Sequence, residues 1–281
     1  MMIDSHAHYT HKLYEGDFTY LDWVDGEFCI REGNRKSLLE EMHRRGIVFS
    51  VEAGTALEKA EGMLELVSTC SPYLRATVGI HPKHCAHLNP SHLEQLQALA
   101  QRRDIIAIGE TGLDYSVAPE ELDKASQKQW FVSQIQLAHQ LNLPLILHIR
   151  DAYEDALIIL RQYRSCLHGG VAHCFGGNAA TAMELVDLGF ALGIGARVLQ
   201  EAPLQDAVCK VPLTAILLET DAPYIRPNVQ HLPCSGKQRK KVRNSSLVLP
   251  AVLEKIASLR GEPLSLVEGT IYQNTLRLFA R

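Results

Sequence analysis

Residues 145–173 read LILHIRDAYEDALIILRQYRSCLHGGVAH and contain one complete strand–helix–strand unit. The aliphatic runs at 145–149 and 170–173 predict short strands that are buried on both faces. Between them, residues 152–163 have the length and apolar content of a helix that packs on a sheet. Two parallel strands need such a crossover, so this unit predicts a parallel sheet covered by helices.

The same alternation extends over the whole chain. Further strands are predicted at 2–5, 47–53, 74–80, 105–109, 190–194 and 215–219, and further helices at 35–45, 56–68, 90–101, 120–141, 179–188 and 246–259. Eight strands that alternate with helices predict one α/β domain over residues 1–281, a closed (β/α)8 TIM barrel. A doubly wound open sheet is the structural alternative, but no Gly-x-Gly-x-x-Gly turn follows the first strand. Residues 9–34 are expected to form an extended first loop over the barrel mouth.

Bulk composition narrows the class of protein. Hydrophobic residues make up 46% of the chain and charged residues 21%, which is typical of a soluble globular protein. The formal net charge of −4 leaves no global basic bias, so contact with nucleic acid needs a local patch. Seven scattered cysteines without a Cys-x-x-Cys pair favour a reducing compartment. Without a signal peptide or a membrane-spanning run, we expect a cytoplasmic monomer that needs no membrane and no obligate protein partner.

Polar side chains follow most of the predicted strands, at the point where each strand ends. They are His6, His8, His81, Glu110, His148, His173 and Asp221. The carboxyl ends of all strands in a barrel meet at one mouth, where the known barrel enzymes keep their active sites. One histidine in such a place is more often structural than a ligand, but agreement among six strand ends favours a common site.

The first strand carries the clearest local signal, in the stretch MMIDSHAHYTH. On a strand, residues i and i+2 point to the same face, so His6 and His8 are expected to project side by side. An ordinary polar terminus is the alternative interpretation, which the other strand ends make less attractive. We expect Asp4 to orient a ligand histidine from behind, and we assign no role to His11.

The residue types at the strand ends suit a metal centre. Imidazole nitrogens and carboxylate oxygens are ligands for zinc, manganese or iron, and the set contains no thiolate. Four histidines and two carboxylates are enough for two divalent ions with a bridging carboxylate, and such a pair can acidify a water and stabilise a displacement. Glu110 and Asp221 are the only carboxylates that we identify at the ends of apolar runs.

Taken in order, six motifs resemble the TatD family of metal-dependent hydrolases, within the amidohydrolase-like barrels. They are IDSHAH, GIHP, GETGLDY, HIRDA, HCFGG and ETDAPY, followed by Arg243–Asn244. The resemblance extends from residue 3 to residue 244. The motifs GETGLDY and ETDAPY in this order are specific, whereas His-x-His or HCF alone would be weak.

The resemblance implies a two-metal site that hydrolyses phosphodiesters, as in deoxyribonucleases that trim DNA ends. His6, His8 and Asp221 would hold one ion, His148 and His173 would hold the other, and Glu110 would bridge them. The catalytic residues would be Glu110 and Asp221, the latter taking a proton from the attacking water. The ions would be zinc, magnesium or manganese, and the expected substrate contacts are His81, Arg150 and Arg243.

This chain departs from the family pattern in three places. The motif GIHPKH has Lys83 where the family has a second histidine, and His84 comes one position late. After Arg243–Asn244 the family's Glu-Pro is replaced by Ser245–Ser246, although serine can still cap a helix there. The first loop is also longer than usual, which would narrow the mouth.

A basic run and three aromatic residues complete the candidate substrate contacts. The run GKQRKKVR, at 236–243, follows the last predicted strand and is expected beside the mouth. It is either a solvated loop or, next to two metal ions, a phosphate clamp, because Lys and Arg neutralise phosphates without reading bases. Tyr115, Phe175 and Tyr224 are either rim packing or platforms on which a base stacks.

Three functions are therefore compared. The leading hypothesis is a divalent-metal-dependent phosphodiesterase, a deoxyribonuclease acting on DNA ends. The alternative is a metal-dependent hydrolase of small-molecule esters, amides or lactones; Glu110 stands where many such barrels use a carboxylated lysine, which favours the nuclease branch. A third reading, a metal-bound binding module without catalysis, has no support because no expected ligand is missing. Metal identity and the choice between DNA and RNA stay open.

Overall fold

Eight parallel strands form a ring, and an antiparallel hairpin is inserted after the first of them. The computed structural model describes residues 1–86, 88–117, 121–230, 232, 235–236 and 240–279. The strands in this part of the chain are β1 (Met2–Ala7), β2 (Phe18–Val24), β3 (Glu27–Gly33), β4 (Ile47–Glu52), β5 (Leu74–Val78), β6 (Ile105–Asp114), β7 (Leu145–Arg150), β8 (Gly170–Ala172), β9 (Phe190–Ile194) and β10 (Ile216–Leu218). The large sheet has the order β1-β4-β5-β6-β7-β8-β9-β10, and β2 pairs only with β3.

Helices separate most of the parallel strands. Within the described residues they are α1 (Arg35–Arg44), α2 (Leu57–Thr69), α3 (Pro90–Ala100), α4 (Glu121–Leu141), α5 (Tyr153–Gln162), α6 (Ala179–Asp187), α7 (Ala202–Lys210), α8 (Leu249–Arg260) and α9 (Leu264–Leu278). Local chemistry fixes their ends: the Asn34 side chain accepts from the Ser37 backbone N–H at the start of α1, and Gly261 ends α8 with a φ of 63°. None of these helices combines the length and apolar character needed to cross a bilayer.

The ring closes where the two halves of the chain meet. Beyond the last regular pairing, the His8 backbone N–H donates to the Ala222 carbonyl at 2.7 Å, and the Asp221 N–H donates to the His6 carbonyl at 2.9 Å. These bonds place the two ends of the sheet side by side, so the expected (β/α)8 barrel is confirmed. They also join the two segments that carry expected metal ligands, at the carboxyl ends of β1 and β10.

A small apolar core gathers side chains from six of the barrel strands together with Phe279. Its buried members are Ile3, Phe49, Val51, Ile106, Ala107, Ile146, Val171, Leu217 and Phe279. Fully burying one such side chain contributes about 1.5–3 kcal/mol, so this layer stabilises the barrel substantially. A second, larger core packs the sheet against the helices. The polar strand ends therefore rest on a rigid, close-packed base.

The region expected to be an extended loop, residues 9–34, is largely regular. A 3-10 turn at Lys12–Tyr14 precedes the β2–β3 hairpin, whose two-residue connection is Asp25–Gly26 with φ angles of 51° and 85°. Asp-Gly is a common sequence for this tight hairpin turn, because both residues need positive φ. The hairpin packs on the segment after β10: the Arg243 N–H donates to the Thr19 carbonyl at 2.8 Å.

The observed elements differ from the predicted ones in one strand and two helices, and they agree at the expected serine cap. Strand β6 continues to Asp114, five residues beyond its predicted end, and this brings a further carboxylate to the mouth. The helices α7 and α9 were not among the predicted elements. The expected serine cap is present: the Ser245 hydroxyl accepts from the Leu247 N–H at 3.2 Å and opens the turn that leads into α8.

Candidate metal centre

The expected ligands converge at the mouth of the barrel in two adjoining groups. In the first, the Nε2 atoms of His6 and His8 lie 3.3 Å apart, and Asp221 Oδ1 lies 3.7 and 3.3 Å from them. In the second, His148 Nδ1 and His173 Nε2 lie 2.9 Å apart. Strands from opposite ends of the chain thus bring the four imidazoles together, because every strand of the barrel presents its carboxyl end to the same mouth.

Glu110 lies between the two groups and faces both. Its Oε2 is 3.8 Å from Nε2 of His6 and 3.8 Å from Nε2 of His8. Its Oε1 is 3.1 Å from His148 Nδ1 and 2.9 Å from His173 Nε2. Each carboxylate oxygen therefore belongs to a different half of the site, which is the arrangement a bridging ligand requires.

The donor atoms fit divalent ions. Ligands at about 2.0–2.2 Å from a tetrahedral zinc lie roughly 3.3–3.6 Å from each other, close to the spacings found here. The ligand atoms of His6, His8 and Glu110, and those of Glu110, His148 and His173, lie within 4.8 Å of one another. His6 and His173 are buried, and the Nδ1 atom of each has no hydrogen-bond partner. The Nε2 atom of each ring faces Glu110, at 3.8 Å for His6 and 2.9 Å for His173, and so is free to serve as the ligand atom.

The electrostatics of the site favour positive charge. Burial would raise the pKa of Glu110, but the charges of His173 and His6 and the hydrogen bond from His148 hold it well below its usual range. Burial likewise opposes the charged form of His8, yet the hydrogen bond to Asp221 and the charge of Glu110 raise its pKa to about 9. The buried carboxylate of Glu110 thus stays ionised and attracts cations.

Asp114 holds the far side of the His148 ring, and sequence reasoning did not identify it. Its Oδ2 lies 3.2 Å from His148 Nε2, while the other ring nitrogen faces Glu110. Burial opposes ionisation of Asp114, but hydrogen bonds from His148 and Ser116 lower its pKa to about 2. A carboxylate on the second nitrogen fixes the orientation of a ligand histidine. The motif GETGLDY contains this carboxylate, but the strand predicted from the apolar run ends at residue 109, before it.

The expectation that Glu110 and Asp221 are the only carboxylates at strand ends is wrong. Glu52 ends β4, and Glu219 follows β10, and both are buried. The Oε1 of Glu52 accepts from the Thr10 hydroxyl at 2.6 Å and from the Thr10 N–H at 3.2 Å, next to the metal ligands. The sequence pattern did not identify Glu52, because this residue lies inside an apolar run and not after one.

Asp4, which was expected to orient a ligand histidine, bonds to the backbone of His6 and to two residues of the segment after β10. It accepts from the Thr220 hydroxyl at 2.6 Å, from the Thr220 N–H at 3.0 Å and from the Ser246 hydroxyl at 2.6 Å. Its remaining bond is to the backbone N–H of His6, at 3.2 Å. Asp4 therefore joins the backbone of β1 to the segment that carries Asp221, and it positions two ligands through the main chain.

All the expected ligands except the fully buried His6 line an open cavity of about 660 Å³. His81 lines this cavity, with Nε2 4.0 Å from Glu110 Oε1 and its ring centroid 4.2 Å from that of His148. His11 lines it as well, and its Nδ1 accepts from the Leu13 N–H at 3.1 Å. Tyr224, which is 44% exposed, stands at the rim with its ring centroid 5.9 Å from that of His8.

The two expected arginine contacts lie away from this cavity. The side chain of Arg150 is exposed at the end of β7, and Arg150 is not among the described residues that line the cavity. The Arg243 Nε donates to the Leu13 carbonyl at 3.2 Å, and the residue lines a neighbouring cavity of about 550 Å³ that shares Tyr224 with the first. Residues 237–239 of the basic run lie outside the described residues.

The remaining aromatic candidates are not placed for stacking in the same way. Phe175 is 1% exposed. The hydroxyl of Tyr115 donates to the carboxylate of Asp155. Of the three aromatics proposed from the sequence, Tyr224 is the one that lines the cavity.

Metal removal is expected to lower the Tm. An ion that binds only the native state at a hundred times its Kd stabilises by about 2.7 kcal/mol. For a chain of this size that corresponds to a Tm difference of roughly 5–10 °C. Differential scanning fluorimetry of EDTA-dialysed protein, titrated with Zn²⁺, Mn²⁺ or Mg²⁺, measures it.

The control for that titration is the double variant His139→Ala/His168→Ala, which removes a surface histidine pair with ring centroids 5.1 Å apart. It should respond to metal as the wild type does. A Tm that no metal changes, or a response that disappears in this control, would contradict a metal centre at the mouth.

Comparisons with known proteins agree with this site. The model of the TatD related DNase family matches residues 3–280. The uncharacterized metal-dependent hydrolase YcfH of Escherichia coli K12 is 33% identical over 280 residues, covering 99% of this chain and 95% of that protein. The 3'-5' ssDNA/RNA exonuclease TatD of Pantoea ananatis is 30% identical over 251 residues, covering 88% of this chain and 93% of that protein.

Solved structures show the same fold over the full length. The TatD homolog YJJV of Escherichia coli K12 has a TM-score of 0.81 and 26% identity, and the alignment covers 100% of this chain and 98% of that one. An uncharacterized amidohydrolase from Saccharomyces cerevisiae, at 20% identity, aligns with a TM-score of 0.79 over 99% of each chain. The resemblance of the motifs and the expectation of a metal-dependent hydrolase are thereby confirmed, and the chain belongs to the TatD related DNase family.

Proposed function

We propose that this protein is a divalent-metal-dependent phosphodiesterase that removes nucleotides from the ends of DNA strands. The observation that carries the proposal is the donor set at the barrel mouth, in which Glu110 faces two groups of imidazoles through different oxygens. His6, His8 and Asp221 would hold one ion, and His148 and His173 would hold the other. Two ions, zinc, magnesium or manganese, suit these nitrogen and oxygen ligands.

The ions would supply an acidified water and charge stabilisation for the phosphoryl oxygens. Asp221 is placed to take the proton from that water. Its side chain is 15% exposed towards the cavity, whereas the side chain of Glu110 is 4% exposed. Asp221 Oδ1 is also 3.3 Å from His8 Nε2, so the carboxylate is oriented before substrate binds. A general base must lie within hydrogen-bond reach of the proton that it removes.

The backbone at Asp221 supports this role. Its φ of 51° lies in the left-handed region, which costs a non-glycine residue roughly 1–2 kcal/mol. Two hydrogen bonds hold this conformation, from the Asp221 N–H to the His6 carbonyl at 2.9 Å and from the Tyr224 N–H to the Asp221 carbonyl at 2.8 Å. Such strain is kept where a side chain must point in one direction, here into the mouth.

A polynucleotide end suits the shape of the site. The cavity is open and shares Tyr224 with the neighbouring cavity, so a strand that passes Tyr224 would have its end at the expected ligands. Stacking of a base on Tyr224 is tolerant of sequence, as expected for an enzyme that trims ends. The relatives named as 3'-5' ssDNA/RNA exonucleases support this substrate class and include RNA within it.

A second candidate function is hydrolysis of small-molecule esters, amides or lactones. Its support is the placement of Arg150 and Arg243, since neither of these expected phosphate contacts lines the metal cavity. It keeps the same ligands and the same proton acceptor, and only the substrate differs. Screening small esters and lactones beside oligonucleotides separates the two functions.

The expected result is shortening of a linear single-stranded DNA oligonucleotide from one end in the presence of Mg²⁺, Mn²⁺ or Zn²⁺. A circular single strand of the same composition should stay intact, because it has no end. Oligonucleotides labelled at the 5' or the 3' terminus, resolved on denaturing gels, show the polarity. Intact linear DNA and RNA with all three metals, together with turnover of a small ester or lactone, would support the alternative.

We further propose that residues 1–281 act as a single functional unit and as a monomer. Supporting this, β1 and the segment after β10 contribute ligands to the same site, so the two ends of the chain depend on each other. The six cysteines in the described part of the chain form no disulfide. A cytoplasmic location stays a prediction from the sequence.

A further inference from the structure

Three lysines line the metal cavity, and each comes from a different element. Lys12 belongs to the 3-10 turn after β1, Lys59 to α2, and Lys83 to the turn after β5. All three are exposed, and all three line the same cavity as Glu110 and the ligand histidines. We refer to Lys12, Lys59 and Lys83 as the lysine triad. Three separate loops and helices thus direct positive charge towards one side of the metal centre.

The charge of the lysine triad is not neutralised by ion pairs. Elsewhere in the described part of the chain, Lys36, Lys128 and Lys210 pair with carboxylates at 2.8–4.0 Å. None of the triad has a described carboxylate within 4.0 Å. The acidic residues that share the cavity are engaged with Thr10 or the ligand histidines, apart from Glu15 at the exposed rim.

The charges of all three lysines act on the imidazole of His11. Burial lowers the pKa of His11, and the charges of His8, Lys12, Lys59 and Lys83 lower it further. Burial also lowers the pKa of His84, with Lys83 and Lys59 adding to the effect against the opposing charge of Glu58. All three lysines thus add positive charge to the cavity that they line.

We propose that the lysine triad is a subsite for a phosphate group next to the one that is hydrolysed. The inference rests on the proposed phosphodiesterase function and deepens it. Ammonium groups on flexible stems act as point charges, which suit phosphates and read no base. The subsite selects substrates that carry a second phosphate, and so it favours a polynucleotide over a single diester, an ester or a lactone.

The test removes the triad with Lys12→Gln/Lys59→Gln/Lys83→Gln and compares it with Lys36→Gln/Lys128→Gln/Lys210→Gln. Both variants lose three positive charges, but the control lysines do not line the cavity. Should the triad variant fold poorly, Lys59→Gln alone against Lys36→Gln takes its place. Substrates are a single-stranded DNA hexanucleotide and the p-nitrophenyl ester of thymidine 5'-monophosphate, which has one phosphodiester and no second phosphate.

The triad variant is expected to raise KM for the hexanucleotide at least tenfold and to leave kcat/KM for the p-nitrophenyl ester within twofold of wild type. Binding of a fluorescent hexanucleotide, measured in an Asp221→Asn background over a range of salt, should weaken at least tenfold. The slope of log K against log salt should become shallower by about 0.7 for each phosphate contact that is lost. The control should match the wild type in all three measurements.

If the triad and control variants lost hexanucleotide affinity and activity to the same extent, the proposal would be overturned, because the loss of net charge alone would then explain the effect. An equal loss of kcat/KM in the triad variant on the hexanucleotide and on the p-nitrophenyl ester would also overturn it. A wild type that hydrolyses neither substrate would refute the phosphodiesterase function but not the subsite. The binding comparison then decides: a tenfold difference between triad and control supports the subsite, and equal affinity or no binding overturns it.

Discussion

Asp221→Asn is expected to reduce hydrolysis of single-stranded DNA by at least about 10³-fold while the protein stays folded. General-base catalysis by a positioned side chain contributes about 10²–10⁴-fold, and Asp221 also belongs to the ligand set. Asparagine keeps the size of the side chain and one oxygen, but it cannot accept a proton at neutral pH. The hydrogen bonds that hold the segment, from its N–H to the His6 carbonyl and from Tyr224 to its carbonyl, involve only the backbone. The variant should therefore lose activity without losing the fold.

Initial rates on an end-labelled oligonucleotide, the metal content of the same preparation and its Tm together measure this effect. The matched control is Asp17→Asn, which makes the same chemical change at an exposed residue that does not line the cavity. The control should stay within twofold of wild type. If Asp221→Asn kept more than a tenth of the wild-type rate, the proton would have to go to another group, and Glu52 would be the next residue to test.

Glu110→Gln is expected to abolish activity through loss of metal. An amide presents one oxygen and one NH₂ group, so it cannot offer an oxygen to both halves of the site. Since His6 and His8 face one carboxylate oxygen and His148 and His173 the other, both halves should be weakened. Loss of a residue that merely supports a ligand typically costs 10–100-fold in metal affinity, and we expect more than about 100-fold for a shared ligand.

Glu52→Gln is the matched control, because both glutamates are buried but their pKa values are shifted in opposite directions. The pKa of Glu52 is raised, chiefly by burial, whereas neighbouring imidazoles hold that of Glu110 well below its usual range. Glutamine should therefore replace Glu52 with little effect on metal content. The measurements are the metal content of the wild type and both variants after dialysis, and the rise in the Tm of each protein when Zn²⁺ is added. Wild-type metal content in Glu110→Gln would contradict a bridging role.

The sequence identified side chains that the structure brings together at the mouth, because a barrel makes long-range geometry simple. All eight strands run parallel, so a polar residue after an apolar run is directed to the mouth wherever it stands in the chain. His6 and Asp221 are distant in sequence, yet their segments are hydrogen-bonded neighbours. Local periodicity was enough to identify them, because the two-residue period of a strand determines which side chains point to the same face of the sheet.

The same reasoning missed groups whose role depends on what lies opposite them. Asp114 lies in a strand that extends beyond its apolar run, whereas Glu52 lies inside its apolar run, and the burial of both becomes visible only in the folded barrel. Asp4 was expected to orient a ligand histidine, and the structure shows that it bonds to the backbone N–H of His6 and to Thr220 and Ser246. Periodicity says which way a side chain points and not which partner it meets.

Sequence alone thus determined the parallel barrel and the imidazole and carboxylate side chains that gather at its mouth, since these follow from short-range patterns repeated along the chain. Tertiary structure alone decided which cationic side chains line the cavity beside them. Arg150, at the end of β7, and Arg243, after β10, do not line the cavity, whereas Lys12, Lys59 and Lys83 line it from three separate elements between the strands. The physical reason is that strands obey a fixed period, whereas the path of a loop is set by the surface on which it packs.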